Sequence, residues 1–130
     1  MAIVYAETIP TKSVGRVRFG FDADGTLAEV KLRADSRSGA RGKASANVPS
    51  RSKLERWLKA YLVGRDQPFP GKWENPGKTD FARSVYAAVA ALKAGETLSY
   101  GGVAERAGSA KACRAVGTAM GHNPIPLVVP

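Results

Sequence analysis

Apolar and polar residues alternate with a period of two in the first part of the chain and with a helical period in the second. Residues 3–9 (IVYAETI) read as a short strand. From Gly15 to Phe21, Val17, Phe19 and Phe21 alternate with Arg16, Arg18 and Gly20, the pattern of a half-buried strand. Asp22-Ala-Asp24-Gly25 is a turn, and residues 26–32 return with Leu27, Val30 and Leu32 apolar. The expected unit is an antiparallel hairpin whose turn is longer than two residues. Residues 33–49 have no period; Ser36, Ser38, Gly39, Gly42 and Ser45 lie among basic residues, and the segment reads as a flexible loop. Ser50 or Ser52 can cap a helix whose apolar side is Leu54, Trp57, Leu58, Tyr61 and Leu62, ended by Gly64. Residues 66–78, with Pro68, Pro70, Gly71, Pro76 and Gly77, read as an extended linker and as the best domain boundary.

Beyond that linker the pattern is helical. Asp80 can cap a helix carrying Phe81, Val85, Tyr86, Val89 and Leu92, stopped near Gly95. Ser99 can cap a second, Tyr100 to Ala107, and Ser109 a third, Ala110 to Met120. Two short helices joined through Gly108 have the form of a helix-turn-helix, although helical pairs with no nucleic-acid role share it. The expected fold class is therefore α+β. A small sheet-and-helix domain at 1–75 precedes an all-α helix-turn-helix domain at 79–130. The segment from Asn123 to Pro130 is apolar and proline-punctuated; it reads as an extended tail that packs beneath something further along the chain.

Charge changes this picture more than composition does. Twenty Lys and Arg stand against eleven Asp and Glu, a net +9 that suits a polyanionic partner, nucleic acid first, or else a solvated basic surface. The excess lies early: residues 1–65 carry +7 and residues 66–130 only +2. Helix N-termini can hold phosphates without side-chain charge, and Arg83, Lys93, Arg106 and Lys111 are candidates to cluster on one face. No apolar run is long enough to span a membrane and no secretory leader is read at the N-terminus, so a cytoplasmic protein is expected.

Candidate chemistry is sparse. The Gly101-Gly102 pair lacks the spacing of a phosphate loop, and one cysteine with one histidine leaves too few ligands for a metal. Cys113 and His122 are nine residues apart, roughly 13 Å along a continuous helix, too far for a nucleophile–base pair. Cys113, among Ala112, Ala115 and Val116, reads as a buried small hydrophobe.

Four blocks nevertheless occur in order: Phe81-Ala-Arg-Ser-Val-Tyr86, Gly95-Glu-Thr-Leu-Ser-Tyr100, Ala110-Lys-Ala-Cys-Arg-Ala-Val-Gly117 and Asn123-Pro-Ile-Pro-Leu-Val-Val-Pro130. Together they closely resemble the O6-alkylguanine-DNA alkyltransferases, the methylated-DNA–protein-cysteine S-methyltransferases. The hairpin and following helix resemble, far less distinctively, that family's small ribonuclease-H-like domain. The resemblance implies DNA repair by direct reversal. A helix-turn-helix binds double-stranded DNA in the minor groove, guanine carrying an O6-alkyl group is flipped out, and the alkyl group moves to a protein cysteine.

In the family the acceptor lies in a Pro-Cys-His-Arg-Val motif. Its proline corresponds to Pro130, the last residue of this sequence. The expectation is thus a truncated sequence with no catalytic residue present, binding DNA at most, because Cys113 matches a small helix residue of the third block. The resemblance gives Arg114 the role of a finger filling the space of the extruded base. It sets Tyr100 beside the target's 3′ phosphate and makes Asn123 a bridge to the active-site loop that ends at Pro130. Ala115 and Gly117 allow close approach to the groove, and Ser99 opens the first helix of the pair. Each has an ordinary alternative: a surface arginine, a packed tyrosine, an Asx turn before Pro124, tight helix packing. No cofactor is implied, and a monomer is expected. The rival reading is a non-catalytic alkyltransferase-like lesion-binding module or a helix-turn-helix regulator.

Overall fold

The computed structural model describes residues 3–35 and 42–130. Two compact units divide between Glu74 and Asn75. The first contains strands β1 (Tyr5–Pro10), β2 (Arg16–Phe21) and β3 (Leu27–Lys31) and helix α1 (Arg51–Leu62). The second contains α2 (Asp80–Ala90), α3 (Tyr100–Arg106) and α4 (Cys113–Gly121). This is the α+β class expected from the pattern.

The strands form an antiparallel sheet in the order β1-β2-β3. Their alternation decides its faces. Val17, Phe19 and Phe21 are wholly buried, and Phe19 meets Trp57 of α1 edge-on at 6.2 Å. The turn after β2 is an Asx turn: Asp22 Oδ1 accepts from the N–H groups of Asp24 (2.9 Å) and Thr26 (3.0 Å). Gly25 takes φ +80° there, and a Cβ would fall 2.7 Å from Cβ of Asn47. Of the expected flexible loop, Ser36, Ser38 and Gly39 lie outside the described residues, while Gly42 and Ser45 belong to irregular backbone.

Helix α1 begins where a cap was expected. Ser50 Oγ accepts from Lys53 N–H at 3.3 Å, and Leu54, Trp57 and Leu58 are buried. The proline-rich stretch that follows is no free linker over its whole length. Phe69 is buried and lies 5.2 Å from Trp57, ring to ring, and Lys72 pairs with Thr26. Apolar burial there outweighs the cost of ordering the chain.

In the second unit two caps differ from expectation. Thr79, not Asp80, caps α2: its backbone is extended and its Oγ1 accepts from Ala82 N–H at 3.1 Å. Asp80 sits inside the first turn, where its charge favours the helix dipole. The helix stops at Ala90 rather than near Gly95, because residues 93–96 close their own turn through Lys93 and Glu96. Likewise Ser109 does not cap α4. Its carbonyl accepts from Ala112 N–H at 3.0 Å, closing a separate turn, and α4 starts at Cys113 behind Ala112, which offers no capping atom.

Candidate nucleic-acid interface

Helices α3 and α4 carry the residues singled out by the sequence. Ser99 opens α3: its Oγ accepts from Gly102 N–H at 3.0 Å, and its carbonyl accepts from Val103 N–H. Val103 and Ala104 are buried, so the first turn is anchored from inside. A Cβ on Gly102 would stand 2.7 Å from Cδ1 of Leu98, so glycine lets Leu98 fold over that turn. Gly108, at φ +92°, ends the helix in the left-handed region that glycine tolerates best.

Helix α4 points Val116 and Ala119 inward and leaves Arg114, Ala115 and Thr118 on an exposed side, and Lys111, in the turn before the helix, is exposed as well. Apart from Lys111 and Arg114 these side chains are small, so a large surface can come close to the helix. Tyr100, 53% exposed, lies beside this face; its Cε2 would be 3.3 Å from a Cβ on Gly117. Ser99, Tyr100, Arg114, Ala115 and Gly117 are thus contributed by two adjoining helices. The first turn of α4 has no side-chain cap, which leaves its N–H groups open to an anion.

Cys113 corrects an expectation. It is exposed rather than buried, opening α4 a full turn before Val116, the first residue of that helix to be buried. His122 stands at the opposite end as the C-cap, so the two do not pair. Among the described residues no group of three His, Cys, Asp or Glu could hold a metal. Of the four candidate basic residues, Arg83 is turned back on its own segment: its Nε donates to the Gly77 carbonyl at 3.2 Å.

The segment after α4 is a second correction. It forms a closed turn, not an extended strand awaiting a cover. Asn123 Oδ1 accepts from Ile125 N–H at 3.0 Å, its Nδ2 donates to the Val129 carbonyl at 2.6 Å, and Val129 N–H donates to the Ile125 carbonyl. Ile125 and Val129 are buried by the described residues themselves, Leu127 and Val128 are half-buried, and Pro130 is exposed. Leu127 takes φ +75°, an unfavourable conformation held by this closure.

One contact was not legible in the sequence. Tyr86 of α2 is buried, and its hydroxyl donates to the Ala119 carbonyl of α4. Burial pushes its phenol above the ordinary tyrosine value. The only signal was a tyrosine at a core position, where the hydroxyl requires a partner.

Comparison with known proteins agrees with this arrangement. Residues 80–130 match the family model "6-O-methylguanine DNA methyltransferase, DNA binding domain". A methylated-DNA–protein-cysteine methyltransferase of Mycobacterium bovis is 44% identical over 73 residues, which is 56% of this chain and 44% of that protein. A Methanosarcina acetivorans protein of the same name is 43% identical over 75 residues, 58% of this chain and 47% of that one. These alignments span less than half the length of the curated relatives. The crystal structure of Mycobacterium tuberculosis O6-methylguanine methyltransferase superposes with a TM-score of 0.75 at 30% identity, covering 99% of this chain and 76% of that one. The structure of Mycobacterium tuberculosis OGT in complex with DNA gives 0.73 at 31% identity, over 96% and 74%. With the four sequence blocks falling on α2, the approach to α3, the start of α4 and the closed turn, the chain belongs to the O6-methylguanine-DNA methyltransferase family.

Proposed function

We propose that α3 and α4 bind double-stranded DNA carrying O6-alkylguanine and serve repair by direct reversal, in which the alkyl group of a flipped-out guanine passes to a protein cysteine. The observation that carries this reading is the α3–α4 surface itself. An exposed arginine rises from a side of α4 otherwise made of small residues, next to a half-exposed tyrosine and an uncapped helix N-terminus.

Each part has a task in this reading. The N–H groups of the first turn of α4 hold a phosphate. Ala115 and Gly117 admit the groove, and Tyr100 stands at the target's 3′ phosphate. Arg114 fills the gap left by the extruded base, since a planar cation can stack on bases and donate hydrogen bonds at once. Asn123 fixes the turn that ends at Pro130, the residue matching the proline before the family's acceptor cysteine. Cys113, on the DNA-facing helix and remote from His122, is not the acceptor. No cofactor is required, since the alkyl group passes directly to protein sulfur. The reading is of a monomer, as one α3–α4 surface suffices for one lesion.

Arg114→Ala tests the reading. Unstacking costs a few kcal/mol, part of which the finger offsets, so the variant weakens binding to lesion-bearing duplex more than to undamaged duplex. Competition binding with the two duplexes measures this. Equal loss on both reduces Arg114 to a phosphate contact.

A further inference from the structure

Most of the positive charge has no place in the surface described above. Of the net +9, +6 belongs to residues 1–74, the unit outside the matched DNA-binding domain. Helix α1 concentrates it. Ser52, Arg56, Lys59 and Val63, spaced by four, three and four, form one exposed stripe opposite Leu54, Trp57 and Leu58; Lys53 borders it and Arg65 follows.

Three features set this stripe apart from an ordinary solvated face. The acids near α1 are already engaged: Arg51 bonds Glu55 at 3.0 Å and also Glu7, so Arg51 is tied down and both carboxylates are taken. Lys53, Arg56 and Lys59 have no ion-pair partner among the described residues. The first turn of α1 holds Arg51 and Lys53 and no acidic residue, an arrangement the helix dipole disfavours. Arg56 and Lys59 are like charges three apart, also mildly destabilising. Stability and solubility alone would favour interspersed acids. A polyanion laid along the helix removes all of these penalties together.

We infer that the exposed face of α1, through Lys53, Arg56 and Lys59, is a second nucleic-acid surface that binds the phosphate backbone without regard to sequence or lesion. Lysine and arginine on successive turns of a helix match a row of phosphates, and each neutralised phosphate releases counterions. The inference extends the proposed DNA reading but stands on different residues.

The test replaces all three residues with glutamine (K53Q/R56Q/K59Q) in the full chain and measures binding to undamaged duplex from 50 to 200 mM salt. The side chains are exposed and unpaired, so the thermal transition stays where it was. The slope of log K against log salt becomes shallower by about 2–3, at roughly 0.9 per phosphate. The advantage of the unsubstituted chain therefore shrinks about 40-fold across that range. A control variant removes the same charge elsewhere in the unit (K12Q/R16Q/K31Q) and changes the slope by less than one. The inference is overturned if the α1 variant keeps the parental slope, or if the control matches it. It is also overturned if the α1 variant loses binding only to phosphatidylserine vesicles, or if the unsubstituted chain binds no duplex. Arg114→Ala measured alongside separates the two readings. If it leaves lesion preference intact while the α1 variant loses its salt dependence, the proposed role of α4 falls and this one stands.

Discussion

Asn123 joins two backbone positions with one side chain, accepting from Ile125 N–H and donating to the Val129 carbonyl. Replacing it with alanine leaves two polar groups in a partly buried turn without that partner. Each such loss costs about 1–3 kcal/mol, less where water enters. Asn123→Ala should lower the stability of the second unit by about 2 kcal/mol in urea denaturation. Asn123→Asp should not restore it, because a carboxylate cannot donate to Val129. Tyr86 gives a prediction in pH. Burial raises its pKa above 10.0, so folding favours the neutral phenol. That stability is fully present below pH 10 and is lost as pH rises through the higher folded value. Melting temperature should therefore fall above pH 10, and Tyr86→Phe should reduce the fall, although Tyr5 and Tyr61 are raised as well and leave a remainder. An unchanged alkaline limb in Tyr86→Phe would show that this phenol is not the group concerned.

Among the elements, α3 is the most dependent on its ends. Seven residues give it little helical cooperativity, and two of them are Gly101 and Gly102. Ser99 therefore matters more than a cap on a long helix. Ser99→Ala should cost about 1 kcal/mol. Because α3 presents Tyr100, the same variant should weaken DNA binding where an equally destabilising change in the first unit, away from α1, does not. Urea titration and duplex binding on one set of variants measure both. Legibility also differed among elements. The apolar period offers Ser50 or Ser52 as the cap of α1 and Ser99 as that of α3, and the structure takes Ser50 and Ser99. The same reasoning placed a cap at Ser109, but that residue spends its carbonyl on a turn to Ala112. A serine before a helical pattern does not reveal whether the chain enters the helix at once or one turn later. That choice was settled by where Val116 and Ala119 reach the core.

For the molecule as a whole, the sequence holds one cysteine, so any alkyl transfer to residues 1–130 would have to fall on Cys113. That thiol is exposed, yet the one imidazole is at the far end of α4, about 13 Å away by helix geometry. The thiol therefore lacks the imidazole that would activate it as a nucleophile. Incubating residues 1–130 with duplex bearing labelled O6-methylguanine should leave the protein unlabelled. Stoichiometric label on Cys113 would contradict the matching of the third sequence block.

What the sequence determined by itself was whatever depends on near neighbours along the chain. The alternation around Phe19 specified a half-buried strand, and the three-and-four spacing around Trp57 and Val85 specified amphipathic helices. The four ordered blocks carried the family resemblance. Tertiary structure decided what depends on residues distant in sequence. Cys113 looked buried among small apolar neighbours, but it opens its helix before the turn that reaches the core. Ile125 and Val129 looked like a tail lacking its cover; Asn123 folds them into a turn and the rest of the chain buries them. Phe69 looked like part of a linker, and the aromatic pair Phe19 and Trp57 drew it into the first core. In each case local composition was the same in either outcome. Burial is a property of what packs against a side chain, and periodicity along the chain does not record it.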